Sequence, residues 1–374
     1  MKILYITTIG GTMNFFNSFI ESLLKDGHTV DIATNEKDSS VPECYRKWGC
    51  RVYQIDTARS PLSKGNLAAI AQIRKIVSEN KYDIVHCHTP VAAMCTRLAC
   101  RKIRKRGTKV FYTAHGFHFY KGAPKKNWVL YYPVEKICSY FTDVLITINQ
   151  EDYALAKKKM KAKEIVYVPG VGIDLTKFGT DTVNKASKRE ELGIPQNASL
   201  LLSVGELNEN KNHETVIRAI ADIPNVYYII AGKGGLQEHL QSVIDELNLT
   251  TRVKLIGFRR DVDELCEAAN VYVLPSVREG LNVSIMEAMA SGLPCVVSKI
   301  RGNTDLIDEN GGTLFDPLSV EDCRKAIQEV LSSENNKLSE YNREKIKSFS
   351  LDAVSEQMKD IIFGGVLPLN RTAD

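Results

Sequence analysis

The feature that most constrains this chain is a regular alternation of short apolar runs with longer helical stretches. The runs are rich in Val and Ile and are followed by Gly, Thr, Ser or Pro, which is typical of buried parallel strands. Helices such as Phe15–Lys25 and Asn66–Glu79 separate the runs, so βαβ units and an α/β fold are expected. The predicted strands are Lys2–Thr7, Thr29–Ala33, Asp83–Cys87, Lys109–Thr113, Val144–Ile148, Leu200–Ser203, Val226–Ala231, Val253–Ile256, Val271–Leu274 and Cys295–Ser298.

The strand–helix pattern stops at a cluster of Pro and Gly, residues 168–172, and then starts again. Such a cluster between two α/β series is typical of a domain linker, and 374 residues suit two domains of about 150 each. We therefore predict Rossmann-like domains at 1–168 and 173–348, with a C-terminal helix and tail, 349–374, returning to the first domain. Doubly wound sheets bind ligands at the carboxyl ends of their strands, so an active site is expected in a cleft between two such edges.

Charge is distributed unevenly between the two halves. Residues 1–170 hold 27 Lys and Arg against 14 Asp and Glu, a net charge of +13, whereas residues 171–374 hold 22 against 31, a net charge of −9. This asymmetry favours a first domain that faces an anionic partner, although charge can also vary along a chain without such a role. A nucleic-acid partner is not expected.

The cysteines and the apolar runs limit the class of protein. The nine cysteines are odd in number and form no C-x-x-C pair, which argues against a zinc ribbon, a redox motif or a disulfide framework. No run of 18 uncharged apolar residues occurs, and the apolar start is too short and too interrupted for a signal peptide. We expect a soluble protein of a reducing cytoplasm.

Two glycines, Gly10 and Gly11, follow the first predicted strand and precede a helix. Glycines at such a turn allow the backbone to approach a ligand, and the following helix N-terminus favours anions. A plain tight turn between strand and helix explains them as well. The G-x-G-x-x-G fingerprint of dinucleotide-binding proteins is missing, so a dehydrogenase is the least favoured enzyme.

Histidines lie at or near the ends of two predicted strands. His115 and His118 follow the strand that ends at Thr113, where a parallel strand delivers side chains into a ligand crevice. His115 is the candidate catalytic residue, although a lone histidine is more often structural. His86 and His88 alternate at the end of another strand and share one face, but no third metal ligand is apparent. His88 is expected to face the cleft without a metal.

The most informative segment, residues 275–294, reads as strand end, loop, helix and Gly-x-Pro. Glu279 lies in the loop and Glu287 lies in the second turn of the helix. Free amides at the helix start, Leu281–Val283, can bind a diphosphate, and the two carboxylates can accept hydrogen bonds from sugar hydroxyls. Lys211, in the loop after the first strand of the second domain, could neutralise phosphates. Solvated side chains and a helix-dipole carboxylate would also explain these residues one by one.

Taken together, these motifs resemble the retaining family 4 glycosyltransferases of the GT-B fold. The resemblance rests on Glu279-x7-Glu287, with Gly280 and Gly292-x-Pro294 around it. The stretch 115–124, with 146–149 after it, is similar to the branch that makes bacterial capsules and exopolysaccharides. The likeness covers nearly the whole chain through Gly10-Gly11, residues 113–116, Gly205, Lys211, residues 231–234, and Gly257, Phe258 and Arg259.

The resemblance implies roles for individual positions. Glu279 would hold hydroxyls of the donor sugar and is a candidate catalytic residue together with His115. Glu287 would hold the ribose, while Lys211 and the amides of Asn282 and Val283 would hold the diphosphate. His115 would line the reaction centre. The remaining donor-site positions are Gly10 and Gly11 opposite the diphosphate, Gly205 beside Lys211, and Gly257, Phe258 and Arg259 beside the uracil.

The chain departs from the family pattern at one position, since Glu206 stands where many relatives have an Arg. Lys211 would then neutralise more of the phosphate charge, and Arg278 could compensate for the missing Arg. The motif Asp261-x-Asp263 imitates the metal site of another glycosyltransferase fold, but Asp261 precedes a helix and is interpreted as its N-cap. No metal and no other cofactor is expected, because cationic side chains and helix N-termini can stabilise a leaving diphosphate.

The predicted activity is therefore the retaining transfer of a hexose or an N-acetylhexosamine from a UDP-sugar to a polyprenyl-diphosphate-linked saccharide. A non-hydrolysing UDP-sugar epimerase on a similar frame, or a catalytically silent nucleotide-sugar-binding partner, remain as alternatives. The intact set of His115, Lys211, Glu279 and Glu287 argues against the silent partner.

Basic runs in the first domain predict peripheral docking on the anionic inner face of a bacterial membrane. Residues 97–106 contain six basic residues and no acid, and residues 157–161 contain four lysines. Ordinary solvated helix faces would have the same composition. The expected acceptor or membrane face comprises His88, His118, Arg101, Lys102, Arg104, Lys105, Arg106, Lys121, Lys125, Lys126 and Trp128.

Overall fold

The computed structural model describes residues 1–58, 60–61, 63–179 and 184–364. The chain divides into two compact units, with unit 1 formed by residues 1–171 and the chain from Ser355 onward, and unit 2 by residues 172–354. The predicted tail beyond residue 364 lies outside the described residues.

Unit 1 contains a seven-stranded parallel sheet in the order β3-β2-β1-β4-β5-β6-β7. A 3-10 helix, Gly10–Phe16, precedes the first α-helix, and a second one spans Ile103–Arg106. The strands are β1 Lys2–Ile6, β2 Thr29–Thr34, β3 Val52–Gln54, β4 Ile84–His88, β5 Lys109–Ala114, β6 Val144–Thr147 and β7 Glu164–Tyr167. The helices are α1 Asn17–Lys25, α2 Glu43–Lys47, α3 Gly65–Asn80, α4 Pro90–Cys100, α5 Lys125–Ser139 and α6 Gln150–Lys159.

Unit 2 contains a six-stranded parallel sheet in the order β10-β9-β8-β11-β12-β13. Short 3-10 helices span Leu175–Lys177 and Ile346–Phe349. The strands are β8 Ser199–Val204, β9 Val226–Ala231, β10 Val253–Gly257, β11 Val271–Leu274, β12 Cys295–Ser298 and β13 Gly312–Phe315. The helices are α7 Lys185–Glu191, α8 His213–Ala219, α9 Gln237–Glu246, α10 Val262–Ala268, α11 Val283–Ala290, α12 Asn303–Leu306, α13 Val320–Ser332 and α14 Asn335–Lys345.

Helices cover both faces of the unit 2 sheet, because successive side chains of a buried strand point to opposite sides. Leu200 and Leu202 of β8 pack into one apolar layer, and Leu201 packs into the other. Unit 1 is built in the same way, with Leu4 and Ile6 of β1 fully buried in its core. The predicted α/β class with two Rossmann-like parallel sheets is confirmed.

The last helix, α15 Leu351–Phe363, begins in unit 2 and is counted with unit 1 from Ser355. In its unit 1 part, Gln357 Nε2 donates a hydrogen bond to the Tyr167 carbonyl at 2.9 Å. Lys359 Nζ lies 2.6 Å from a carboxylate oxygen of Asp26. A polar side chain and an ion pair thus tie this helix to the sheet and the first helix of unit 1.

Each of the ten predicted strands exists, with bounds that differ by one residue at most. The prediction was wrong in omitting β3, β7 and β13, which all lie at sheet edges. These strands are only three or four residues long and include polar or glycine residues, so they form no apolar run. The cysteines carry free thiols and eight of the nine are buried, as expected of small apolar residues.

Candidate active site

The carboxyl ends of β8 and β11 form the point in unit 2 where the strand order reverses. Ligands of doubly wound sheets bind at this switch point. Two hydrogen bonds hold the loop after β8 against the loop after β11. The Val277 amide donates to the Asn210 carbonyl, and Asn210 Nδ2 donates to the Arg278 carbonyl, each at 2.9 Å.

Lys211 and Glu279, one from each loop, form an ion pair at this point. Lys211 Nζ lies 2.7 Å from Glu279 Oε1, and the two side chains are 16% and 13% exposed. Two residues for which the sequence suggested separate roles are therefore direct partners. Because both charges are largely removed from water, loss of either partner would leave the other poorly compensated. Neither residue has a hydrogen bond or an ion pair with Glu287 among the described residues.

The loop after β12 supports the backbone around Glu279. Arg301 is buried, and its Nε donates a hydrogen bond to the Glu279 carbonyl at 3.1 Å. Gly302 has a φ of +77°, and a Cβ on it would lie 2.0 Å from the Gly280 carbonyl oxygen. Neither residue was predicted as part of the site. Their position directly after a predicted strand end was the signal that could have revealed them.

The helix that follows the Glu279 loop, α11, is capped by Asn282. Asn282 Oδ1 accepts hydrogen bonds from the amides of Ser284 at 2.9 Å and Ile285 at 3.3 Å. The amides of Asn282 and Val283 themselves donate to no other described residue. The two amides predicted to bind a diphosphate are thus unused, while the side chain of Asn282 fixes the helix start.

Glu287 lies one turn further along α11 and is largely buried. Burial, helped by the negative charge of Asp263, raises its pKa to about 7, and Lys177 opposes this shift. No hydrogen bond or ion pair to the Glu287 carboxylate is found in the described part of the chain. A carboxyl group with these properties can change its protonation state near neutral pH.

Glycines allow the loops at the switch point of unit 2 to approach one another closely. A Cβ on Gly232 would lie 1.8 Å from the Gly205 carbonyl oxygen, and a Cβ on Gly205 would contact the Lys211 stem at 3.2 Å. Gly205 therefore lies beside Lys211. Glu206 and Arg278 are both exposed, and no ion pair links Arg278 to another described residue.

The segment Gly257–Arg259 begins at the last residue of β10, Gly257, which has a φ of +71°. Phe258 is 66% exposed. Arg259 is held by Asp261 and by Glu191, whose carboxylate oxygen lies 2.8 Å from the guanidinium. Asp261 does occupy the N-cap position of α10, but its carboxylate makes no capping hydrogen bond and instead pairs with Arg259 and Lys188. The capping interpretation of this side chain was therefore wrong.

In unit 1 the strand order reverses between β1 and β4, and the two following loops are joined there. The Thr8 hydroxyl lies 2.7 Å from the Thr89 hydroxyl, and Thr89 has a φ of +64°, which is strained for a β-branched residue. Gly10 is required by packing, since a Cβ on it would lie 2.4 Å from the Ser39 carbonyl oxygen, whereas a Cβ on Gly11 would meet only the Ser39 hydroxyl, which can rotate away.

Histidine rings from β4 and from the loop after β5 lie side by side at this edge of unit 1. His88 Nδ1 lies 3.1 Å from His115 Nε2, and His86 Nε2 lies 2.8 Å from the Thr113 hydroxyl. The rings of His86 and His88 are 4.2 Å apart, and Tyr5 stacks on His88 at 5.4 Å. Burial lowers the pKa of His86 to about 3 and that of His115 to about 4, so these rings are neutral at pH 7.

His88 does not face an open crevice as predicted. It is 2% exposed, whereas His115 remains partly exposed. The prediction was wrong because Phe16, which the sequence placed in a helix, covers the His88 ring at 4.3 Å. His118, also predicted for the acceptor face, is partly exposed and stacks on Tyr131 at 4.6 Å.

Two arginines of the basic run 97–106 are used inside unit 1. Arg97 is buried in a two-pronged ion pair with Glu135 at 2.8 and 3.0 Å. Arg104 pairs with both carboxylate oxygens of Asp143 at 2.7 and 2.9 Å. Arg104 was therefore wrongly assigned to a free basic face, because its acidic partner is distant in sequence. Of the basic residues predicted for the acceptor or membrane face, those that are exposed are Arg101, Lys102, Lys105, Arg106, Lys121, Lys125 and Lys126.

On helix α5 the prediction for Trp128 was wrong, whereas Lys125 and Lys126 are exposed. Trp128 packs against Phe119 at 5.5 Å and its indole N–H donates to the Tyr120 carbonyl, so it faces the core. The apolar residues that are exposed recur at helical spacing, which gives α5 an outward apolar face. This outward apolar face consists of Val129, Leu130, Pro133 and Ile137, with Tyr140 directly after the helix.

Within the described ranges, no three His, Cys, Asp or Glu side chains are arranged as metal ligands. None of the helices described is both long and apolar enough to cross a membrane.

Comparison with known proteins shows the family to which the chain belongs. Residues 184–347 match the family model of glycosyl transferases group 1, and residues 2–149 match that of glycosyl transferase 4-like proteins. The chain is 36% identical over 370 residues to a Bacillus subtilis protein named as glycosyltransferase EpsD, covering 96% of each chain. It is 30% identical over 310 residues, 79% of each chain, to the Escherichia coli UDP-Gal:alpha-D-GlcNAc-diphosphoundecaprenol alpha-1,3-galactosyltransferase.

Among solved structures, HepE of Anabaena in complex with UDP superposes with a TM-score of 0.81 at 20% identity. The match covers 97% of this chain and all of that one. At this identity the likeness supports the fold, which is the two-sheet GT-B architecture of glycosyltransferases. With both family models and two relatives at 30% identity or more in agreement, the chain belongs to the group 1, family 4 glycosyltransferases and is an enzyme of that class.

Proposed function

We propose that this glycosyltransferase moves a hexose or an N-acetylhexosamine from a UDP-sugar to a polyprenyl-diphosphate-linked saccharide, with retention of the anomeric configuration. The acceptor hydroxyl attacks the anomeric carbon, the bond from that carbon to the diphosphate oxygen breaks, and the hydroxyl proton passes to the departing UDP. The reaction serves bacterial surface polysaccharide synthesis.

The observation that carries this proposal is the Lys211–Glu279 ion pair at the switch point of unit 2. A lysine and unused helix amides suit a diphosphate, and a fixed carboxylate suits sugar hydroxyls. Glu287, whose carboxylate has no hydrogen-bond or ion-pair partner among the described residues, suits the ribose diol. Unit 1 contributes His115 as the group that acts on the reacting sugar.

The names of relatives support the donor and the acceptor. The Escherichia coli relative uses UDP-galactose and a diphosphoundecaprenol-linked acceptor by name, and HepE was solved with UDP and with UDP-glucose. Because Lys211 and the α11 amides can stabilise the leaving diphosphate, we expect catalysis without a divalent ion.

A panel of UDP-sugars incubated with a synthetic polyprenyl-diphosphate saccharide, followed by product mass determination, tests the proposal. We expect one donor to extend the acceptor by a single sugar, equally well in EDTA and in Mg²⁺. The anomeric configuration of the product, read by NMR, tests retention. Conversion of UDP-GlcNAc alone into its epimer would favour the epimerase, and binding without any product would favour a silent partner.

We further propose that unit 1 docks on an anionic membrane surface through the outward apolar face of α5. Exposed lysines, Lys125 and Lys126, lie at the start of this helix. The Arg104 guanidinium donates to the Tyr140 carbonyl at 3.0 Å, which keeps the exposed basic residues of segment 101–106 near its end. Apolar side chains flanked by basic ones suit a bilayer with anionic headgroups.

Co-sedimentation with vesicles tests this docking. We expect binding to vesicles that contain phosphatidylglycerol, weaker binding at high salt, and little binding to phosphatidylcholine. The variant Val129→Ser/Ile137→Ser should lose the salt-resistant part of the binding. Leu318→Ser, which changes an exposed apolar residue of unit 2, is the matched control. Binding that ignores lipid charge would contradict the electrostatic mechanism without affecting the transferase assignment.

A further inference from the structure

The His88–His115 contact determines which nitrogen of His115 remains available. His115 Nε2 is engaged by His88 Nδ1 at 3.1 Å, and its Nδ1 has no hydrogen bond to another described residue. The His115 ring is partly exposed while His88 is 2% exposed. His115 therefore meets any ligand with Nδ1, and its other nitrogen is fixed from behind.

The second nitrogen of His88 indicates where the shared proton lies. His88 Nε2 is buried and has no hydrogen-bond partner. If His88 accepted the bond from His115, its own proton would have to be on Nε2, which would leave a buried N–H without an acceptor. Buried N–H groups without partners are rarer than buried acceptors that go unused. The favoured arrangement thus has His88 donating through Nδ1–H to His115 Nε2.

This arrangement fixes the tautomer of His115. A neutral imidazole carries one proton, so acceptance at Nε2 requires the proton to be on Nδ1. Burial lowers the pKa of both His115 and His88 below the usual value, which keeps both rings neutral at pH 7. His115 can then offer a neutral N–H donor at Nδ1.

We propose that His88 is a positioning residue that holds His115 in its Nδ1–H tautomer, so that His115 donates a hydrogen bond to an oxygen of the donor sugar or its leaving diphosphate. The inference rests on the proposed catalytic role of His115. It assigns to His88 a function that requires no contact with any ligand.

The chain offers a matched control on the same strand. His86 alternates with His88, is equally buried, and also leaves one nitrogen without a partner. Its Nε2 pairs with the Thr113 hydroxyl instead of His115. Substitution of His86 therefore perturbs the same cluster of rings but leaves the bond to His115 in place.

The test combines histidine NMR with kinetics of the full-length enzyme. Long-range ¹⁵N–¹H spectra, assigned with His115→Gln, should show wild-type His115 protonated on Nδ1. His88→Leu should lose this preference and lower kcat about 10- to 100-fold, the range found when a metal-ligating imidazole loses the partner that orients it, with little change in KM for the donor. His88→Asn, whose amide can replace the Nδ1 donor, should recover most of the rate, and His86→Leu should keep both tautomer and kcat.

A wild-type His115 protonated on Nε2 would overturn the proposal, and so would an equal loss of kcat in His86→Leu and His88→Leu. If His88→Leu does not fold, the tautomer of wild-type His115 and the kcat of His88→Asn still test the proposal. Should His115→Gln stay active while the tautomer depends on His88, the catalytic role of His115 fails and the positioning by His88 stands.

Discussion

The switch points of units 1 and 2 have the same topology and opposite chemistry. In unit 2 the loops bring together a lysine and a glutamate, Lys211 and Glu279, beside two unused amides. In unit 1 the end of β4 and the loop after the neighbouring strand β5 bring together rings that are neutral at pH 7, among them His88 and His115. One sheet architecture can thus present charged groups or neutral ones, depending on the few residues at and after the ends of its strands.

The largest effect is expected from a substitution in the neutral histidine cluster of unit 1. Replacing His115 by Ala should lower transfer about 10²- to 10³-fold, the usual cost of losing one donor to a developing charge. UDP affinity should hardly change, because the proposed nucleotide contacts lie in unit 2. Steady-state kinetics and UDP calorimetry measure the two effects. If His118→Ala blocks transfer and His115→Ala does not, the wrong histidine has been assigned.

The charged site of unit 2, which contains Lys211 and Glu279, should make the protein more stable when UDP is bound. At about 100 times its dissociation constant, UDP should add roughly 2.7 kcal/mol to the free energy of unfolding and raise Tm. EDTA should leave this shift unchanged, because Lys211 and the α11 amides supply the compensating charge. A Tm shift that requires Mg²⁺ or Mn²⁺ would contradict the proposed phosphate site.

Substitutions of Glu279 and Glu287 in unit 2 should have different effects on turnover and on UDP affinity. Glu279→Gln should reduce turnover more than UDP affinity, because it removes a charged acceptor for the sugar and releases Lys211 from its pair. Glu287→Gln should weaken UDP itself by about 2 kcal/mol, the cost of one charged hydrogen bond. Kinetics together with UDP titrations resolve these effects. Equal losses of UDP affinity in both variants would show that their roles are not distinct.

The smallest expected effect is a pH dependence set by Glu287. Its pKa of about 7 in the folded protein lies above the usual value, so the protonated form is favoured by folding. The contribution to stability is fully present below the unfolded pKa near 4.5 and is lost as pH rises through 7. UDP affinity should change in the opposite sense, rising up to about tenfold between pH 6 and 8 as the carboxylate ionises.

Glu287→Gln should remove both pH trends, since an amide does not titrate. Calorimetry at several pH values measures how UDP affinity depends on pH. Urea unfolding at the same pH values measures how the free energy of unfolding depends on pH. A wild-type UDP affinity that is constant from pH 6 to 8 would rule out the ribose role for an ionised Glu287.

The central strands, the two-sheet class and the chemical nature of the unit 2 loops follow from the sequence alone. Buried parallel strands such as Val226–Ala231 are continuous apolar runs, and the loop residues that follow them can be read directly. Edge strands such as Val52–Gln54 leave no such trace, because they are short and only partly buried.

Pairings between distant segments were decided by the tertiary structure. From the sequence alone, Lys211 and Glu279 are separate charges, Arg104 is one of six basic residues, and His88 is expected to be exposed. Nothing in the local sequence reveals their partners, which are 27 to 68 residues away. The sequence also shows Trp128 beside lysines without showing which face of α5 is covered. Local sequence determines what a segment becomes, whereas burial and ion pairing depend on which segments meet once the chain has folded.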